Sequence, residues 1–576
     1  MSEDSKKNLF KQAGILAVAG IISRIIGFLY RSPLTGIIGD EGNGYYGMAY
    51  QAYIIVLMIS AYSIPSAISK IISGKLALNE YKNAHKIFKC ALIYVAIMGG
   101  IGSLILFFGA RIIANGNSAI VLRFFAPTVF LFGFLGVLRG YFQAHRTMIP
   151  TSISQLLEQI LNAVISVGGA IYLVNISGVP KMAVPEVCTD FGAMGYSVSA
   201  GTRLIVTALL SKRAVYGAIG SSLGTGAGVV SALIFMIIVY LTNRNKFSEK
   251  IASDKGVELS NADAFKLIIT VVTPIILSTC IYNLSSFLNA RFFNYVLIDL
   301  KHFDEKYVAQ IYGIFSGKAI VMTSIPIAFA SAAAAAVMPE ISTAFAKGDK
   351  KDAAGTIAGV MRVMMMISIP CAVGFFALAR PVMMILFPYR ESLNEASFYL
   401  ALVAITVVFY SVSTVSNAVL QGMGRLKAPV TNASIALVIQ TVVLLLLLIF
   451  TNLRGEALCI VTIIYSFLMC LFNNISMKKG MDMPIDVKKT YVLPSVASAV
   501  MGIAAFALYN ALSALLATII TRPYFLNLIC AGISILVAIF VYFAVLIKIG
   551  GAAREDILKF PKGRSLVRAL EKIRLL

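Results

Sequence analysis

Ala61-Tyr62-Ser63-Ile64-Pro65-Ser66-Ala67-Ile68-Ser69-Lys70 is an apolar stretch that carries a proline and then a lysine. Its core returns as Ser324-Ile325-Pro326-Ile327-Ala328. Each copy lies in a long apolar segment. Each is followed by a basic loop, with Lys82, Lys86 and Lys89 after the first and Lys347, Lys350 and Lys351 after the second. A further apolar helix follows each loop, ending at Arg111 and Arg380. Downstream, Tyr141-Phe142-Gln143 followed by Pro150 matches Val419-Leu420-Gln421 followed by Pro429. The offset between copies stays at roughly 260 to 280 residues. The chain therefore reads as two related halves, and a functional site is expected where the halves face each other.

The surroundings of these repeats decide the solvent. Of the 576 residues, 59% are hydrophobic and only 13% charged, and the mean hydropathy is +0.86. A soluble chain of this size needs far more charge to cover its surface. Apolar runs of about 20 residues recur from end to end, the length that crosses a bilayer as helix. The short alternating segments of an outer-membrane barrel are missing from the pattern. The class expected is an all-α integral membrane protein.

The net charge of +23 sits in short loops, where an inside-positive bias accounts for it without nucleic acid. The cysteines at 90, 188, 280, 371, 459, 470 and 530 show no CxxC pair and lie mostly in apolar segments, so they read as small hydrophobes. His85, His145 and His302 are scattered through loop-like contexts and offer no metal set. The first apolar stretch runs on to about Ile38 without a small-residue cleavage site, which reads as a retained helix.

Fourteen spans are expected, six in each of two lobes and two more at the end. The N-lobe, helices 1–6, takes residues 1–241, and a polar cytoplasmic linker takes 242–264. The C-lobe, helices 7–12, takes 265–480, and helices 13–14 take 481–550. A basic tail fills 551–576. With both termini cytoplasmic, the inner loops hold most of the Lys and Arg. The tail lies on anionic lipid or is simply solvated. Residues 175–212, with Pro180, Pro185 and the apolar run 204–210, read as an outer loop with a partly buried or interfacial helix. Six spans per half make the repeat parallel, a layout of transporters that rock two lobes about a central site.

Ionisable groups inside a bilayer cost roughly 2.5–3.5 kcal/mol on insertion scales, so those that persist face a cavity or a partner. Arg24 lies about 20 Å along helix 1 by helical rise, and Arg31 follows on nearly the same face. They read as a basic stripe lining a cavity; the plainer account of Arg31 is snorkelling to headgroups. Lys318 is placed near mid-depth of helix 8, the repeat partner of helix 2, which carries Lys70. Snorkelling also accounts for Lys70. Glu158, in Gln155-Leu-Leu-Glu158-Gln159, either pairs with a cation such as Arg139 or Arg24 or carries a coupling ion. Arg139 alone reads as an inner anchor. Gln155, Gln159, Asn283 and Gln421 are polar cavity candidates, although Asn283, Asn289, Asn417, Gln421, Asn432 and Gln440 also suit interhelical hydrogen bonds. Gly220, Gly224, Gly226 and Gly228 are a close-packing signal. No nucleotide loop, Ser/His/Asp set, zinc spacing or outer pair of acids is present, so neither an enzyme nor an ATP-driven pump is expected.

Three motifs carry a resemblance: Ser23-Arg24-Ile-Ile-Gly27-Phe28, Ile64-Pro65-Ser-Ala-Ile-Ser-Lys70, and Arg139-Gly140-Tyr141-Phe142-Gln143 with Pro150-Thr151 and Ser154-Gln155-Leu-Leu-Glu158-Gln159. They resemble the polysaccharide transport proteins of the stage V sporulation protein B type, relatives of the MurJ lipid II flippases in the multidrug/oligosaccharidyl-lipid/polysaccharide exporter superfamily. The resemblance covers nearly the whole chain. It implies two six-helix lobes around a V-shaped cavity, with two extra helices. It implies a bacterial plasma-membrane protein of peptidoglycan or polysaccharide biosynthesis, cell shape or sporulation. The implied substrate is an undecaprenyl-diphosphate-linked saccharide, lipid II first, whose diphosphate meets Arg24, Arg31, Lys70 and Lys318. Members with a sodium site use acids in helices 7 and 11. Asn283, Asn289, Asn432 and Gln440 stand in those helices here, which leaves sodium, protons or the membrane potential as the drive. No cofactor is implied, and the chain is expected to act as a monomer beside cell-wall synthesis proteins.

The expected function is thus a flippase working by alternating access. A multidrug/cation antiporter of the same superfamily is the first alternative, and would want acids and aromatics in its cavity. A non-transporting scaffold of a cell-wall or sporulation complex is the second.

Overall fold

The computed structural model describes residues 18–62, 64–177, 200–254, 256–346, 348–388, 391–425, 427–479, 486–551 and 568. Among them every regular element is a helix. In chain order these are α1 Val18–Leu29, α2 Arg31–Leu57, α3 Ile64–Ala77, α4 Tyr81–Phe108, α5 Ala110–Ile113, α6 Gly116–Ala144, α7 Ile149–Ile176 and α8 Ala200–Ser253. There follow α9 Asn261–Asn294, α10 Glu305–Ile314, α11 Ile320–Ala346, α12 Lys350–Ala377, α13 Ala379–Leu386, α14 Leu393–Val403 and α15 Thr406–Gly422. The chain closes with α16 Lys427–Phe450, α17 Gly455–Lys478, α18 Leu493–Leu516 and α19 Pro523–Lys548. α2 contains a break at Gly39, whose φ of 69° takes the left-handed conformation that glycine adopts without strain.

Among the described residues, eleven helical stretches are long and apolar enough to cross a membrane, or up to twelve with the bent pair α14–α15 taken as one span. Of the fourteen expected, the first and the seventh fall outside this set. Only Val18–Leu29 of the first lies ahead of α2 among the described residues. The seventh, α9, is a 34-residue helix whose residues 267–284 carry no charged side chain.

The described chain forms two compact units, Met1–Gly317 and Lys318–Leu576. The division falls after α10. The reason is local: α10 packs tightly on α2, where Gly44 lies against the Ala309 backbone and Gly313 against the Asp40 carbonyl. A side chain at either glycine would have no room.

α8 departs most from expectation. It is one helix of 54 residues, about 80 Å by helical rise, where a span over 213–241 was expected. The apolar run 204–210, expected as a partly buried or interfacial helix of an outer loop, belongs to it; residues 178–199 lie outside the described set. At its other end α8 continues twelve residues into the expected linker. No Gly or Pro interrupts residues 229–253, and Phe247 is held among the rings of Tyr141, Phe142, His145 and Tyr240 at 4.9–6.2 Å. Tertiary packing therefore keeps a polar segment helical.

The internal repeat is written in the turns. The turn after α3 has Asn79 at φ 60°, with Asn79 N donating to Leu76 O and Glu80 N to Lys75 O. The turn after α11 repeats this at Gly348, with Gly348 N to Phe345 O and Asp349 N to Ala344 O. Arg146 and Gly424 end α6 and α15 in the same way, with bonds from Arg146 N to Gln143 O, Thr147 N to Phe142 O, Gly424 N to Gln421 O and Arg425 N to Leu420 O. These are paired bonds that close a helix through a left-handed residue. The offsets are 269 and 278 residues.

In the second unit α11 packs on α12 and α15, and α16 on α17. An amide ladder ties α15, α16 and α17: Asn473 Nδ2 donates to Asn417 Oδ1 at 2.7 Å, and Asn432 Nδ2 to Asn473 Oδ1 at 2.9 Å. α18 and α19 pack on each other, and Tyr542 OH anchors them to the Met366 carbonyl of α12 at 2.9 Å. The expected basic tail lies almost wholly outside the described residues, as does Cys188.

Candidate functional site

In the first unit the three sequence motifs converge. Gly27 of α1 faces the Gln159 side chain of α7. Gly140 of α6 lies against the Pro65 carbonyl of α3, so the Ile-Pro stretch and the Arg-Gly stretch meet in direct backbone contact. Arg139, beside that glycine, is buried. Its Nη2 donates to Glu158 Oε2 at 2.8 Å and its Nε to Ser154 Oγ at 2.9 Å. Arg139 is therefore a partner of Glu158 inside the bundle rather than an anchor at its surface. Charge-assisted bonds on two sides of one guanidinium fix α6 to α7.

α8 closes the other side of this pair. Gly220, Gly224 and Gly228 recur every four residues and pack on α7 at Ala170, Ser166 and Glu158 respectively. Gly226 faces Thr128 of α6. The glycines let α8 approach until backbone meets backbone, which is why α7 carries Glu158 in one fixed place.

The basic residues differ in exposure. Arg24 is exposed on α1. Arg31 is half-buried, with its Cζ 5.2 Å from the centroid of the Tyr46 ring. Gly20, Arg24, Gly27 and Arg31 follow one another at helical spacing, while Val18, Ile22, Ile25 and Leu29 form a separate exposed apolar stripe. The arginines and the apolar stripe thus lie on different sides of the helix. Tyr46 stacks on Tyr50 at 5.7 Å, and Tyr53 stacks on Phe125 at 4.7 Å. This ring cluster was not read from the sequence. Its signal was there in Tyr46, Tyr50 and Tyr53, three tyrosines at spacings of four and three.

Lys70 is exposed on α3, and its neighbours decide what it faces. Ser66 and Ser73 are exposed on the same side, and no large apolar side chain from Ile64 to Ala77 is exposed. On α4, by contrast, Ile93, Ile97, Ile101, Leu104 and Phe108 are exposed, as acyl chains require. The α3 face is thus polar where a lipid-facing face would be apolar. Lys70 lies on that polar face.

Lys318 belongs to the second unit and is fully buried. It sits in a π-helical turn, Phe315–Ala319, with Nζ donating to Ser392 Oγ at 2.6 Å and lying 5.8 Å from the Phe387 ring centroid. π-turns of this kind cluster at functional sites. Asn283, Gln155, Gln159 and Gln421 are all half-buried. Asn417, Asn432 and Asn473 act as interhelical ties.

Comparison with known proteins gives the wider setting. The family described as Polysaccharide biosynthesis protein matches residues 9–191, and the MatE family matches residues 274–446. The chain is 24% identical over 519 residues to the lipid II flippase MurJ of Bacillus subtilis (strain 168), covering 86% of this chain and 87% of that protein. It is 22% identical over 502 residues to stage V sporulation protein B of the same organism, covering 84% and 86%. Among solved structures, an inward-facing multidrug resistance MATE family transporter of the MOP superfamily aligns with a TM-score of 0.58 at 15% identity, covering 80% of this chain and 98% of that one. The fold is that of a multi-span membrane transporter.

Proposed function

We propose that this chain is a flippase that moves a saccharide carried on a polyisoprenyl diphosphate, lipid II in the first instance, from the inner to the outer leaflet by alternating access. The observation that carries the reading is the company Lys70 keeps: a lysine on an exposed helix face that is polar throughout, in the same unit as exposed Arg24 and the tyrosine-backed Arg31. A diphosphate leaving water needs several cations to replace its hydration. The polyprenyl tail stays in the bilayer, so only the head group needs a polar path. Similarity to a lipid II flippase over most of the chain supports the same substrate class.

Arg24 and Arg31 would hold the diphosphate, and Lys70 would lead it along the α3 face. Lys318 would join only after leaving Ser392. Glu158, occupied by Arg139, would act as a structural ion pair. Driving forces of sodium, protons and membrane potential all suit this scheme. The potential alone supplies about 2.3 kcal/mol per charge per 100 mV for an anion moving outward.

The test is outer-leaflet exposure of lipid II in cells depleted of their own flippase. The wild-type chain should restore it, and Arg24→Ala should not, at equal protein level in the membrane. Restoration by Arg24→Ala would remove the diphosphate clamp. The MATE-like fold favours a second reading, export of cationic drugs; resistance to cationic dyes that survives Arg24→Ala would select it.

A further inference from the structure

The rings beside Arg31 are more than packing. Tyr46 and Tyr53 are buried at 2% exposure, but Tyr50 is only half-buried and Tyr62 is 49% exposed. Tyr62 stands at the end of the π-helical turn Met58–Tyr62, which displaces it from the regular helix, and its ring lies nearly parallel to Phe132 at 6.3 Å. Ser66, Lys70 and Ser73 follow one another at helical spacing along the exposed face of α3, which begins two residues after Tyr62. Tyr50 lies within electrostatic reach of Arg31, Tyr30, Tyr62 and Glu158, so the two tyrosines and the arginine share one region. The Tyr30 hydroxyl is already bonded to Arg31. Among the described residues, the Tyr50 and Tyr62 hydroxyls are bonded to no other group.

Such a surface has a chemistry. An open aromatic face beside free hydroxyls suits a pyranose ring, which lays its C–H face on the negative face of an aromatic and directs its hydroxyls outward. A bare cation also suits aromatic rings, but Arg31 already lies over the Tyr46 face and repels a second positive charge. The neighbour of this surface is a guanidinium suited to a phosphate. In a sugar diphosphate lipid the first sugar is joined directly to the diphosphate, so a saccharide subsite belongs beside the arginine.

Building on the flippase reading, we propose that Tyr50 and Tyr62 form the saccharide subsite of this transporter, with Tyr62 stacking on the first sugar ring and Tyr50 hydrogen-bonding to it. They set which head groups are accepted, while the arginines bind the diphosphate common to all of them.

The test uses the purified full-length protein in lipid nanodiscs and two probes, undecaprenyl diphosphate and the same lipid carrying a disaccharide. The wild type should bind the disaccharide lipid on the order of tenfold more tightly. Tyr62→Leu and Tyr50→Phe should each cut that preference to about threefold or less and leave binding of the bare diphosphate lipid within about twofold of wild type. Tyr62→Phe, which keeps the ring, should retain most of it. Thermal unfolding alongside identifies any variant that is misfolded, and Tyr50→Phe removes a single oxygen, so one variant stays interpretable. Equal binding of both probes by the wild type, or an equal loss for both probes in folded variants, overturns the subsite and leaves the flippase reading standing. Failure of the wild type to bind either lipid overturns the flippase reading and the subsite with it.

Discussion

Arg139 and Glu158 form an ion pair of 2.8 Å between α6 and α7, with side chains only 7% and 17% exposed. Removing one partner strands the other in a low-dielectric interior. Breaking such a pair costs about 3–5 kcal/mol when it is fully buried, and the partial exposure of Glu158 puts this one near the low end, about 3 kcal/mol. Arg139→Ala and Glu158→Ala should therefore each lower the thermal unfolding midpoint in detergent by several degrees. Arg139→Leu combined with Glu158→Leu should recover much of the loss, because the double change leaves no unpaired charge. If the double variant is as unstable as the sum of the singles, the pair does not act as a unit.

The glycine stripe of α8 gives a second test. A Cβ on Gly220 would press on the Ala170 backbone nitrogen, and one on Gly224 on the Ser166 backbone. Backbone cannot swing aside as a side chain can, so α8 must move away from α7. Gly220→Ala and Gly224→Ala should each destabilise by about 1–3 kcal/mol, the usual range for overpacking. Gly168→Ala, with open space around it, should change stability little and serves as the control.

Much of this was legible from spacing alone. The repeated Ile-Pro and Gln-Pro stretches mark two related halves, and after each copy the structure closes a helix with the same pair of bonds, because helix-closing chemistry is local. The four-residue glycine spacing likewise foretold a close helix crossing. The length of α8 was not legible, because residues 242–253 look like a polar linker and are held helical by contacts with Tyr141 and His145, a hundred residues away. The pairing of Glu158 with a cation such as Arg139 or Arg24 is legible in the sequence, but which of the two it meets is not, because depth in a helix can be counted while the partner lies on another helix. The ring cluster around Tyr50 is not legible in the sequence, because tyrosines in an apolar segment ordinarily signify core.

The turn at the start of α4 makes a pH prediction. Its N-cap, Glu80, makes no side-chain cap bond; the bond comes from Asp254, whose Oδ2 accepts from the Lys82 backbone nitrogen at 2.8 Å. The backbone amides of Lys82 and Gly256 hold the Asp254 carboxyl below its ordinary range, and Lys75 and Asn83 do the same for Glu80. An acid whose folded pKa is depressed stabilises the fold above its unfolded value, near 3.9 for Asp, and that stability drains away as pH falls through the lower folded value. Exchange of the Lys82 amide should thus be protected at pH 6 and speed up, relative to its intrinsic rate, below about pH 4. Asp254→Asn keeps an acceptor oxygen, so it should retain part of the protection and flatten its pH dependence. Asp254→Ala should lose the protection at every pH.

Lys318 separates stability from transport. Its ammonium is 1% exposed, donates to Ser392 at 2.6 Å and faces the Phe387 ring. A buried charge is costly to desolvate, and an apolar side chain of similar volume in its place is often neutral or stabilising. Lys318→Met should therefore fold and unfold within a few degrees of wild type. Ser392→Ala leaves the ammonium without one acceptor and should cost about 1–2 kcal/mol, so the smaller chemical change should be the more destabilising one. Transport should rank the two in reverse. If Lys318 meets the diphosphate at some stage of the cycle, Lys318→Met should lower outer-leaflet exposure of lipid II at least about tenfold, and Lys318→Arg should keep more of it by keeping the charge. Ser392→Ala, which removes no cation, should transport well whenever it is folded. Normal transport by a folded Lys318→Met would confine this lysine to packing and leave the diphosphate to Arg24, Arg31 and Lys70.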